Sequence, residues 1–109
     1  MPTVILLDDD AQVRQYFAEY LRAYGYTVVE GVNSKGILQL VREHHAKILI
    51  TDLVMPDHEG MEGIFLAKQI PELRIIAISA NAAFLKLASN IADACMQKPF
   101  FGADLCFGV

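Results

Sequence analysis

The ten residues from Ile48 to Asp57, ILITDLVMPD, constrain the fold of this chain more than any other stretch. They begin as a continuous apolar run and end on a carboxylate. A short run without alternation predicts a strand covered on both faces, as in a parallel sheet. The acid that closes it, Asp52, then lies at the carboxyl edge of the sheet, where open α/β proteins bind ligands. Met55-Pro56 sets the exit path, because proline fixes φ and cannot extend a ladder.

The rest of the chain repeats this plan. Thr3 to Leu7 predicts a first strand running into Asp8-Asp9-Asp10. Val13, Phe17, Tyr20, Leu21 and Tyr24 recur at helical spacing, and Gly25 marks the stop. Tyr26 to Val29 predicts a second strand. Asn33 or Ser34 is placed to cap a second helix whose apolar face is Ile37, Leu40 and Val41. A third helix is expected from about Glu59 to Gln69, stopping before Pro71. Arg74 to Ile78 predicts a fourth strand, ending at Ser79. Phe84, Leu87, Ala88 and Ile91 predict a short fourth helix. Ala94 to Gln97 predicts a brief fifth strand before Lys98-Pro99, and the remainder has room only for a short or truncated last helix. Five βα units in alternation imply an α/β fold, a doubly wound (βα)5 parallel sheet with right-handed crossovers. For five strands the flavodoxin-like order 2-1-3-4-5 is expected.

Composition narrows what such a sheet can serve. At 109 residues the expectation is one domain, residues 1–109, around one core. No apolar stretch reaches the roughly 18 residues of a membrane span, and the N-terminus lacks the basic region of a signal peptide. A net charge of −4 gives no support for nucleic-acid binding. Cys95 and Cys106 have no metal-type spacing and read as two reduced core thiols of a cytoplasmic protein. His44 and His45 close the second helix, where cations suit the dipole, and His58 falls in a loop; none reads as a metal ligand.

The polar residues that matter sit at strand carboxyl ends: Asp8 and Asp9, Asp52, Ser79 and Lys98. In the order 2-1-3-4-5 the third strand lies between the first and fourth, with neighbours ~4.8 Å apart. Asp52 is then one strand from the acidic pair and one from Ser79. Lys98 is two strands away, roughly 10 Å, a gap its long stem largely crosses. Carboxylates this close repel, so a pKa rises or a cation binds among them. An all-oxygen site open to water suits Mg2+. Together with a hydroxyl and an ammonium, it is the equipment of phosphoryl transfer. Asp52 would be the nucleophile, since aspartate forms acyl phosphates. Lys98 and the metal would neutralise phosphoryl oxygens, and Ser79 would donate a hydrogen bond to one. Asp10 reads instead as a helix N-terminal acid.

With those residues in place the chain resembles the receiver domain of two-component response regulators over essentially its whole length. The carriers are Leu6-Leu7-Asp8-Asp9-Asp10, Asp52 to Asp57 with Glu59-Gly60, Ser79-Ala80 and Lys98-Pro99-Phe100. The resemblance implies that Asp52 accepts phosphate from a sensor histidine kinase or histidine phosphotransfer protein and switches binding of an output partner. It implies that Asp9 and Asp52 ligate Mg2+ directly, Asp8 through water and Val54 through its carbonyl. It also implies a cis Lys98-Pro99 bond, and a domain that catalyses only its own phosphorylation and dephosphorylation and binds neither nucleic acid nor membrane.

The chain departs from the family on one side. Cys95 stands where receivers usually carry an aromatic that turns inward after phosphorylation. The segment from Ser79 to Lys98 is short, Ala92 replaces a usual glycine, and 11 residues follow Lys98. These changes gather on the side of the fourth helix, fifth strand and fifth helix. A second reading is therefore a pseudo-receiver, an interaction module indifferent to phosphate. A third is a phosphohydrolase of the haloacid-dehalogenase type with Asp8 as nucleophile, although only Asp104 follows Lys98 where an acidic pair is needed.

Overall fold

The computed structural model describes residues 2–55 and 58–108. Five strands form one sheet: β1 (Thr3–Leu7), β2 (Thr27–Gly31), β3 (Ile48–Asp52), β4 (Arg74–Ser79) and β5 (Ala94–Gln97). Their order is β2-β1-β3-β4-β5 and every pairing is parallel. Five helices connect and cover them: α1 (Ala11–Ala23), α2 (Ile37–His44), α3 (Gly60–Ala67), α4 (Ala82–Ala88) and α5 (Gly102–Gly108). Between β3 and α3, Val54–Met55 pairs antiparallel with His58–Glu59 as a minimal ribbon. Pro56 and Asp57, on which the exit path was argued, lie outside the described residues.

The unbroken apolar runs follow from two cores, one on each face of the sheet. Ile5, Leu7, Leu49, Ile75 and Ala77 pack with Ile37 and Val41 of α2, Ile64 and Ala67 of α3, and Leu85 and Ala88 of α4. Val4, Leu6, Ile48, Ile50, Ile76 and Ile78 point the other way, onto Phe17, Ala18 and Leu21 of α1 and Leu105 of α5. Alternate residues of β1, β3 and β4 thus enter opposite cores, and neither set needs to be polar.

Several local expectations shift. β2 starts one residue later than expected and ends two residues later, at Gly31. The second helix starts at Ile37 rather than behind Asn33 or Ser34, because Gly36 adopts φ 73° and interrupts the approach. Asn33 instead accepts the Lys35 amide in a local turn, at 2.9 Å. In α1, Tyr20 and Tyr24 are exposed and Ala18 takes the inward position. In α4 the buried residues are Leu85 and Ala88, whereas Phe84 and Leu87 face outward. A helix of seven residues is too short for period 3.6 to fix its phase from sequence. Only Cys95 departs from the expected core position, being exposed on the edge strand β5; Cys106 is half-buried on α5 and packs against the core beneath α1 and α5. Tyr24 and Gly25, with Gly25 at φ 96°, do end α1.

Candidate functional site

Strand register brings the site together. Leu7 pairs with Thr51, so Asp8 and Asp52 leave the sheet side by side. Asp52 pairs with Ile78 and Ser79 with Gln97, which places Ser79 and Lys98 at the same edge. Asp8 is fully buried at 0% exposure and Asp52 is 7% exposed, while Asp9 is exposed. One carboxylate oxygen from each of Asp8, Asp9 and Asp52 lies within 4.8 Å of the others.

Lys98 completes the group. Its Nζ donates to Asp8 Oδ2 at 2.7 Å and to Asp52 Oδ2 at 2.8 Å, so the stem spans the two intervening strands fully. Its backbone amide donates to Ser79 O at 2.8 Å, and the Lys98-Pro99 bond is cis. The remaining oxygens are oriented by backbone amides. Asp10 N donates to Asp8 Oδ1, and Val54 N to Asp52 Oδ1. Ser79 Oγ accepts from Asn81 N at 3.0 Å, which leaves its proton for another acceptor. The Asp10 carboxylate caps α1 through Oδ1, accepting from Gln12 and Val13, and is not part of the cluster.

The charges perturb one another as the geometry requires. Burial raises the Asp8 carboxyl above its ordinary value, although the Lys98 hydrogen bond opposes it. Burial pulls the Lys98 ammonium down, but its bonds to Asp52 and Asp8 and their charges outweigh that, and the net shift is upward. Lys98 therefore stays charged across the neutral range.

Two participants carry no obvious sequence signal or were overlooked. Arg14 donates through Nη1 to the Asp8 carbonyl at 2.8 Å and through Nε to Glu30 at 3.2 Å, holding the acidic turn against the end of β2. Only the folded register of α1 against β2 reveals it. Asn81 caps α4 by accepting from Ala83 and Phe84, and its amide orients Ser79. An asparagine just before an apolar run was the signal available for that cap.

A sequence profile of the response regulator receiver domain matches residues 4–107. The chain belongs to that family. This receiver is 33% identical over 102 residues to the DNA-binding transcriptional regulator NtrC of Azospirillum brasilense, across 90% of the chain but 21% of NtrC. The chain thus spans about a fifth of that relative's length. It is 32% identical over 109 residues to the response regulator receiver protein CpdR of Brucella abortus, covering 96% of the chain and 91% of CpdR. Among solved structures, chemotaxis response regulator CheY4 of Vibrio cholerae superposes with a TM-score of 0.87 at 20% identity, over 99% of the receiver and 95% of CheY4. TrrA of Thermotoga maritima, solved in complex with Mg2+ and BeF, gives 0.88 at 24% identity, over 99% and 96%. These likenesses at low identity show the shared fold. Among the described residues no helix is long and apolar enough to cross a membrane.

The acidic cluster fits the magnesium that receiver domains bind. The donors are hard carboxylate oxygens, one exposed and two buried, gathered within one coordination sphere's reach. Asp9 is expected to contribute more than Asp8, because Asp9 is exposed whereas Asp8 is fully buried. Asp9→Ala should therefore weaken Mg2+ binding more than Asp8→Ala in a titration followed by NMR, and equal losses would mean that the ligand roles are misassigned.

Proposed function

We propose that residues 1–109 act as a phosphoacceptor receiver, taking a phosphoryl group onto Asp52 from the phosphohistidine of a sensor kinase or phosphotransfer protein. The observation that carries this is the pocket beside Asp52, about 440 Å³, bordered by Ser79 and Lys98. A phosphoryl group placed there meets a carboxylate nucleophile, an ammonium and a hydroxyl whose proton is available. An Asp52 oxygen bonds to phosphorus as the phosphorus–nitrogen bond to the donor histidine breaks, and the electron pair leaves with the imidazole.

Each residue then has one task. Lys98 moves its ammonium from Asp52 Oδ2 towards a phosphoryl oxygen, and Ser79 donates to another. Asp9 and Asp52 would hold Mg2+ directly, Asp8 through water and Val54 through its carbonyl; the ion supplies charge neutralisation at the phosphoryl group. Asp8 is the poorer nucleophile, being fully buried and not among the residues that line the pocket, which argues against the phosphohydrolase reading. The setting is the cytoplasm, where such kinases present phosphohistidine, and the phosphorylated domain switches the binding of an output partner.

Incubation with acetyl phosphate and Mg2+ should raise the intact mass by one phosphoryl group. The rise should vanish without Mg2+ and in Asp52→Asn. Modification that survives Asp52→Asn would place the acceptor elsewhere, and a wild-type chain that never gains mass would leave the pseudo-receiver reading standing.

A further inference from the structure

The pocket beside Asp52 is polar on its buried side, and its exposed lining is mostly apolar, with Phe84 its largest side chain. Asp52 and Ser79 are its buried lining with Lys98 beside them, and Val54, Ala80, Asn81 and Phe84 are its exposed lining. Phe84 is 38% exposed and lies outside both cores, because α4 turns Leu85 and Ala88 inward instead. Core packing therefore does not account for a large ring at this position. Its backbone is nonetheless fixed to the site. The Phe84 amide donates to Asn81 Oδ1 at 3.3 Å, and the Asn81 amide donates to Ser79 Oγ at 3.0 Å.

The line of approach follows from the other contacts. Asp8 and Asp9 occupy one flank of Asp52, and the Val54 amide holds Asp52 Oδ1. A phosphoryl group on Asp52 must extend into the pocket, towards Ser79 and Lys98. Hydrolysis of such an acyl phosphate proceeds in line, with entering and leaving oxygens on opposite sides of phosphorus. Water must then arrive from the open side of the pocket, which Phe84 borders together with Val54, Ala80 and Asn81. A phenyl ring offers no hydrogen bond with which to order that water, and it excludes solvent from the space it covers.

We infer that Phe84 sets the lifetime of the phosphorylated state by shielding the phosphoryl group from in-line attack by water. This role rests on the acceptor reading of Asp52. In the step it retards, a water oxygen bonds to phosphorus while the bond from phosphorus to the Asp52 oxygen breaks. The electron pair returns to the Asp52 carboxylate, the water proton passes to solvent, and inorganic phosphate leaves. Phe84 belongs neither to the acidic cluster nor to its ion pairs with Lys98, so its removal is expected to alter hydrolysis without altering the acidic cluster.

The test compares the full chain with Phe84→Ala and Phe84→Leu. Each is loaded with acetyl phosphate and Mg2+, freed of donor by desalting, and followed by intact mass as the phosphoryl group is lost. Phe84→Ala should shorten the lifetime by about threefold to tenfold, equivalent to ~0.7–1.4 kcal/mol of barrier, with Phe84→Leu between it and wild type. Mg2+ affinity measured in parallel should match wild type. Equal or longer lifetimes in Phe84→Ala would overturn the shielding role while leaving Asp52 as acceptor. Shortened lifetimes that track a loss of Mg2+ affinity would overturn it too, by moving the cause to the metal site. Failure of the wild type itself to take up a phosphoryl group would defeat the acceptor reading and this inference together. Should Phe84→Ala not fold, a Phe84→Leu lifetime equal to wild type would still count against the ring.

Discussion

Replacing Lys98 with alanine is expected to destabilise the metal-free protein by about 3 kcal/mol at neutral pH. The ammonium bridges two carboxylates that are otherwise buried side by side, at 2.7 Å from Asp8 and 2.8 Å from Asp52. Without it, among the described residues, the Asp8 carboxylate keeps only the Asp10 amide and the Asp52 carboxylate only the Val54 amide. Breaking a buried pair by removing one partner leaves charge with no compensation, which costs more than the pair itself contributes.

The pH dependence has a definite sign. Asp8 is already raised above 3.8 by burial, and loss of Lys98 removes the interactions that oppose that rise. A carboxyl whose folded pKa exceeds its unfolded value contributes most below the unfolded value, and stability falls as pH rises through the folded one. The deficit of Lys98→Ala should therefore be small in mild acid and larger at neutral pH. Lys98 itself is raised in the folded state, so in the wild type its contribution persists through neutrality and is lost only in strong alkali. Urea unfolding at mildly acidic and neutral pH measures both. Adding Asp8→Asn should restore much of the loss, and Mg2+ should stabilise the variant by mass action. A deficit that is the same at both pH values, or one that Asp8→Asn leaves untouched, would show that the lysine is not acting as counterion to Asp8.

What could be read from sequence follows the same division between sheet and surface. β1, β3 and β4 were legible because residues that feed two cores must be apolar without alternation, a pattern few other elements produce. The gathering of Asp8, Asp9, Asp52, Ser79 and Lys98 at one edge was legible because parallel register carries strand ends there whatever the loops do. Less was legible where one turn decides the outcome. Gly36 delays α2 beyond Asn33 through its backbone conformation, not through its side chain. The phase of α4 is set by packing of Leu85 and Ala88 under β4, which a seven-residue window cannot report. Cys95 read as buried by residue type, but it lies with Gln97 on the exposed side of β5, whose residues alternate between half-buried and exposed. Arg14 stayed hidden because an arginine on an amphipathic helix is ordinarily a solvated residue, and its partners lie on β1 and β2.

The α1–α5 contact yields the second large effect, a loss of about 2 kcal/mol from the single methyl of Gly102→Ala. An ideal Cβ at Gly102 would lie 2.4 Å from Tyr20 Cδ2 and 2.5 Å from Cγ. Those atoms sit at the root of the ring, so relief requires the whole Tyr20 side chain to leave its rotamer or α5 to lift away from α1. The close approach is held by further contacts in the same segment. Phe100 stacks on Phe17 at 4.9 Å, and the Gly102 amide donates to the Tyr16 hydroxyl at 3.0 Å. A helix of seven residues has little stability of its own, and α5 depends on these contacts and on the burial of Leu105. Tyr20→Ala should cost stability alone yet cost much less in the Gly102→Ala background, because the clash is then gone; the double-mutant cycle isolates that coupling. Amides of α5 should also lose exchange protection before those of β1 and β3 do. Lys98 is anchored separately by the two carboxylates, so Mg2+ affinity should survive the loosening of α5. Additive losses in the cycle, or a Gly102→Ala protein as stable as wild type, would mean that α5 is not seated by the fit of Gly102 against Tyr20.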